Sequence, residues 1–155
     1  MKLELTRRGD YAIRAMLALA RAKGARLSTP TIAAAMGIPV RFLPQVMGDL
    51  GRADLVDSHS GRNGGYRLAR PAERISLLAI IEAVEGDSRR RTCVLRGGPC
   101  RLDGACDVHD VFFRAQDRLL RTFADATLAS VAGEAHDLSR GSPGAAAGTG
   151  PRGRG

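Results

Sequence analysis

The chain of 155 residues has no tryptophan and only six other aromatics, two Tyr and four Phe. That scarcity argues against recognition of RNA or single strands by base stacking, which needs aromatic platforms. No apolar run approaches the length that spans a bilayer, so no membrane association is expected. The opening MKLELTRRGD is charged and does not read as a signal segment. Cysteine is sparse as well: three residues cannot all pair within the chain, and free thiols fit a reducing, cytoplasmic setting. Enzyme chemistry finds little support, because there is no Gly-rich phosphate loop and the three histidines, His59, His109 and His136, are dispersed. Acid is the scarcer charge, with 16 Asp and Glu against 24 Lys and Arg, a formal net charge of +8. An anionic partner follows, and with aromatics so few, double-stranded DNA suits better than RNA.

The length is that of one domain with an appendage, and 44% apolar residues suffice for a core. The run from Ser139 to Gly155 has no bulky apolar residue, so it is expected to be a disordered tail. Upstream, Tyr11, Ala12, Ala15, Met16 and Leu19 recur at helical spacing, with Thr6 as a cap and Gly24 as a stop. A short second helix starts after Ser28 and Thr29, takes Pro30 in its first turn and ends at Gly37. Phe42, Leu43, Val46, Met47 and Leu50 mark a third helix closing near Ala53. Two short helices around a Gly-containing turn form a helix-turn-helix. Leu55–Ser58 and Gly65–Leu68 then flank a Gly- and Asn-rich turn, which reads as a β-hairpin. Ile75–Val84 gives a further apolar helix opened by Ser76. Val108, Val111, Phe112, Ala115, Leu119 and Phe123 line one face of a long helix beginning near Asp107.

The expected fold is therefore mostly α with a small β-hairpin wing: a winged helix-turn-helix followed by a long helix. Residues 1–86 form the DNA-binding domain, 87–106 a cysteine-containing loop, 107–138 the long-helix region and 139–155 the tail. In a winged helix the third helix enters the major groove and the hairpin reaches a neighbouring groove. Arg41 and Gln45 are placed to reach base edges. Ser28 and Thr29 at the start of the second helix, with Ser60, Arg62 and Asn63 on the wing, suit phosphate or minor-groove contact. Pro44 conflicts with a mid-helix position, so the third helix is expected to begin near Phe42, with Arg41 at or before its cap.

All three cysteines fall in CVLRGGPCRLDGACDVHD, as Cys93, Cys100 and Cys106, with His109 three residues after the last. Thiolates ligate iron-sulfur clusters, and Gly-rich backbone can wrap one closely. Three cysteines leave a fourth position, for which His109 and Asp10 of the first helix compete. A structural zinc site would use the same residues without the usual C-x₂₋₄-C knuckle. A thiol switch is the third option, since Arg89, Arg90, Arg91 and Arg96 would lower a nearby thiol pKa.

Together, LTRRGDYAIRAMLALA, IAAAMGIPVRFLPQVMGDL, GRNGGYRLAR, ISLLAIIEAVEG and the three-cysteine loop resemble the Rrf2 family of bacterial winged-helix regulators over residues 1–132. The resemblance implies a homodimer, held through the long helix, that binds a promoter operator and most often represses. It also implies a 2Fe-2S or 4Fe-4S cluster on Cys93, Cys100 and Cys106, sensing nitric oxide, redox state or iron-sulfur supply. In IscR-like members the fourth ligand is a histidine at the place of His109; in NsrR-like members it is an aspartate of the other subunit's first helix, at the place of Asp10. This sequence carries both. It departs from the family in a first cysteine spacing one residue longer than the common five, and in Pro44, where IscR-like chains have a glutamate beside the glutamine matching Gln45. A cluster-free thiol or ligand sensor and a DNA-binding module that senses nothing are the alternatives.

Deleting residues 139–155 is expected to leave thermal unfolding cooperative and its midpoint unchanged. A lost or broadened transition would show that the tail packs.

Overall fold

A computed structural model describes residues 4–88 and 107–133; Cys93, Cys100, Cys106 and the tail lie outside the described residues. The elements are α1 (Arg7–Arg21), α2 (Thr29–Met36), α3 (Leu43–Arg52), β1 (Val56–His59), β2 (Gly65–Leu68), α4 (Leu77–Glu85), α5 (His109–Asp125) and α6 (Leu128–Ala132). Four helix starts are written in hydroxyl caps: Thr6, Ser28, Ser76 and Thr127 accept the N–H groups of Gly9, Thr31, Ala79 and Ser130. Gly37 ends α2 in the left-handed conformation at φ 62°, where a side chain would be strained. Pro44 breaks nothing, because α3 begins at Leu43 and Pro44 occupies its first turn, where a missing N–H has no helical partner to lose. The preceding Val40–Phe42 forms a single 3₁₀ turn, which places Arg41 ahead of the helix.

One core joins the elements. Met16, Leu19, Ile32, Leu43, Val46, Met47, Leu50, Ile75, Ile80 and Leu128 are all fully or almost fully buried. Leu128 of α6 lies in the same core as α1. A two-bond bridge seals that junction: Leu77 N–H donates to Ala126 (2.9 Å) and Leu128 N–H to Ile75 (2.7 Å). Asp49 on α3 is the one buried charged side chain among the described residues, and it pairs with Arg8 of α1 and Arg52 of its own helix. At the start of α1, Glu85 of α4 accepts from Thr6 through both N–H (3.0 Å) and hydroxyl (2.6 Å). Within the chain α5 lies against α4, yet none of its residues is buried.

The wing is a two-stranded antiparallel hairpin in which Val56 faces Leu68 and His59 faces Gly65. It is anchored to the approach of α2 by a third strand-like contact: Leu27 and Tyr66 exchange N–H···O bonds of 2.9 Å in both directions. Gly65 makes that contact possible. Its φ is +136°, and a Cβ there would stand 2.6 Å from the Leu27 carbonyl oxygen. Gly65→Ala combines a strained backbone with a backbone clash, so it is expected to cost about 2 kcal/mol or more in urea unfolding. Wild-type stability in that variant would mean the Leu27–Tyr66 contact can yield without loss.

Candidate nucleic-acid interface

Helix α3 exposes its N-terminal end. Arg41, Pro44 and Gln45 are open to solvent, and Val40 beside them is 51% exposed despite being apolar. Behind this surface, Leu43, Val46, Met47 and Leu50 are buried, so the helix has one committed face and one presented face. Arg41 places its guanidinium 4.8 Å from the centroid of the Phe42 ring. Phe42 in turn meets Tyr11 of α1, ring centroids 5.6 Å apart. On the other side of the turn, Arg14 of α1 donates to the Met36 carbonyl at the end of α2 (3.3 Å). The helix-turn-helix turn is therefore held to α1 at both of its ends.

The wing tip is a tight turn closed by Gly64 N–H donating to the Gly61 carbonyl (2.9 Å), which leaves Arg62 and Asn63 at its exposed apex. Between wing and α2 runs an open groove of about 520 Å³, lined among others by Ser28, Thr29, His59, Ser60, Arg62 and Tyr66. Four residues expected from sequence to meet DNA thus share one groove, although Ser28 and Thr29 lie some thirty positions from the wing in the chain. The groove has the composition of a phosphate site: hydroxyls, a helix start and an arginine. His59 and Val40 were not expected. His59 sits at the strand end just before the Gly-rich turn, a position whose alternation is readable; Val40 gives no sequence signal of exposure.

The two candidates for a fourth metal ligand differ in their surroundings. Asp10 accepts from Arg14 Nε at 2.8 Å, and that arginine is itself largely buried. His109 is the first residue of α5, half-buried, with its ring 4.1 Å from that of Phe113. Among the described residues no three of His, Cys, Asp and Glu converge on a point suited to a metal ion. The expected donor set therefore depends on cysteines outside the described residues. Nor is any described helix long and apolar enough to cross a membrane.

Comparison with known proteins agrees with this architecture. The sequence profile of the Rrf2 family, described as an iron-dependent transcriptional regulator, matches residues 5–134. The HTH-type transcriptional regulator Rv1287 of Mycobacterium tuberculosis is 34% identical over 134 residues, covering 86% of this chain and 83% of that relative. Among solved structures, CymR, the global cysteine regulator of B. subtilis, superposes with a TM-score of 0.70 at 25% identity, over 85% of this chain and 98% of that one. IscR of T. potens gives a TM-score of 0.65 at 26% identity, over 96% of both chains. These relatives are regulators rather than enzymes, and the family match runs well beyond the winged helix, to residue 134. The chain belongs to the Rrf2 family of DNA-binding transcriptional regulators.

Proposed function

We propose that the chain is a homodimeric repressor whose hold on a promoter operator is set by an iron-sulfur cluster. The observation that carries the DNA contact is the groove joining Ser28, Thr29, Ser60 and Arg62, next to an α3 whose first turn is solvent-exposed. Hydroxyls, backbone N–H groups and Arg62 engage phosphates or the minor groove, with Asn63 beside them on the wing tip. Arg41 and Gln45 read base edges in the major groove, and Val40 supplies an apolar contact of the kind that meets a thymine methyl.

The dimer reading rests on α5. A helix of 17 residues without one buried side chain, with Val108 just ahead of it at 37% and Val111 within it at 58% exposure, needs a cover for its apolar face. Phe112, Leu119 and Phe123 continue that face, and a second copy of the same helix is complementary to it.

For the sensor, Cys93, Cys100 and Cys106 would hold the cluster, whose chemistry is to bind and lose iron, electrons or nitric oxide reversibly. The donor types fit: three thiolates plus one imidazole or carboxylate. His109 is the better-supported fourth ligand, because it follows Cys106 by three residues, whereas Asp10 already balances the largely buried Arg14. Recruiting Asp10 would compete with that ion pair. Likeness to the cysteine regulator CymR supports a second reading, in which the thiols report without a cluster.

Two measurements test these readings. Arg62→Ala is expected to weaken operator binding and to lower the slope of log affinity against log salt by about one. An unchanged salt titration would remove Arg62 from the phosphate contacts. Protein purified anaerobically is expected to carry iron and sulfide with a visible absorption band. Alanine at any of the three cysteines abolishes that band; His109→Ala bleaches it more than Asp10→Ala does. Zinc alone, or no metal, overturns the cluster and leaves the thiol reading.

A further inference from the structure

We propose that Tyr11 and Phe42 are positioning residues that hold the Arg41 guanidinium as a flat fork for one guanine in each operator half-site. The inference rests on the DNA-binding reading above and names what α3 reads there. Three observations lead to it.

The first is the stack itself. Arg41 lies over the Phe42 ring at 4.8 Å, and Phe42 lies against Tyr11 at 5.6 Å with the rings inclined by 32°. Among the described residues no carboxylate pairs with Arg41, so the guanidinium carbon sits over an aromatic ring while its N–H groups remain for a partner.

The second is the backbone beneath it. Phe42 N–H donates to the Pro39 carbonyl at 3.0 Å, closing the 3₁₀ turn that carries Arg41. Proline on either side, at Pro39 and Pro44, fixes φ at both flanks. With Arg14 pinned to Met36 and Tyr11 against Phe42, α1 braces this turn from both ends. A surface arginine usually surrenders much rotamer freedom on binding; here the ring has already narrowed it.

The third is position. Arg41 stands at the N-terminal end of α3, the end that a winged helix directs at base edges. A planar fork pairs with phosphate oxygens as it does with the acceptors O6 and N7 of guanine, and its place at the base-reading end of α3 points it to the guanine. Gln45, exposed one turn further along, leaves room for a neighbouring base to be read separately.

The test is in vitro selection from a random-sequence duplex pool with the full-length protein, followed by salt titrations on the selected duplex. Wild type is expected to enrich a motif with one strongly preferred guanine per half-site. Arg41→Lys, which keeps the charge, should relax that one position by on the order of tenfold while sparing the other positions and the salt slope. Phe42→Leu and Tyr11→Leu, each checked for cooperative unfolding, should relax the same position, and Phe42→Tyr should restore it. Two independent packing variants guard against one that fails to fold.

A guanine preference untouched by Arg41→Lys overturns the proposal while leaving the operator reading intact. The same holds for leucine variants that lose affinity equally for every sequence, because the rings would then be structural only. A wild-type protein that enriches no motif overturns the operator reading and this proposal together.

Discussion

Asp49 carries a carboxylate into the interior on α3, and the arginines that neutralise it come from two places: Arg8 on α1 and Arg52 one turn along α3. A carboxylate taken from water without partners costs several kcal/mol; Arg52 meets it from within the helix, and Arg8 adds a second partner that ties the second half of α3 to α1. The Tyr11–Phe42 contact fixes its first turn against the same helix. Apolar burial of Leu43, Val46, Met47 and Leu50 supplies the bulk of the driving force but little direction, since such contacts tolerate sliding. The charge and the ring supply the register.

Helix α1 is also where the rest of the molecule is attached. Glu85 closes its N-terminus from the end of α4, placing a negative charge where the helix dipole favours one. Arg14 reaches the end of α2. The wing is tied to this frame indirectly, through the Leu27–Tyr66 exchange and through Arg26, which donates to the Gly65 carbonyl at 3.3 Å. Helix α3, the turn before it and the wing are thus tied to one frame, with the presented residues at its surface and the constraining contacts beneath.

Much of this was legible in the sequence because it is local. Hydroxyl caps at Thr6, Ser28 and Ser76, the stop at Gly37 and the Gly-rich wing turn each act within four residues of themselves, and each is where the pattern put it. Pro44 was legible as a conflict, and its resolution, a 3₁₀ turn ahead of α3, follows from the same steric rule that raised it. What could not be read is pairing across the chain. Nothing local distinguishes Asp49 from any exposed aspartate, or says that Tyr11 will meet Phe42. The gathering of Ser28 and Thr29 with the wing depends likewise on a strand contact at Leu27 that is too short to leave a periodicity. Helix α5 shows the converse. Its apolar face was clear from spacing, but periodicity marks only that a face wants burial and does not name the surface that buries it.

That difference between α3 and α5 bears on regulation. Helix α3 is held at both ends by contacts internal to the chain, whereas α5, which lies against α4, is followed by a residue of the buried core, Leu128, just past its C-terminal end. Its N-terminal side starts at His109, directly after the cysteine-bearing segment. On the proposed reading, a change at the cysteines therefore acts on the element with the least internal burial and the largest dependence on a second copy. The internal contacts of α3 resist deformation of either head. On the same reading, such a change would act through α5 and alter the separation of the two heads on the DNA rather than the shape of either.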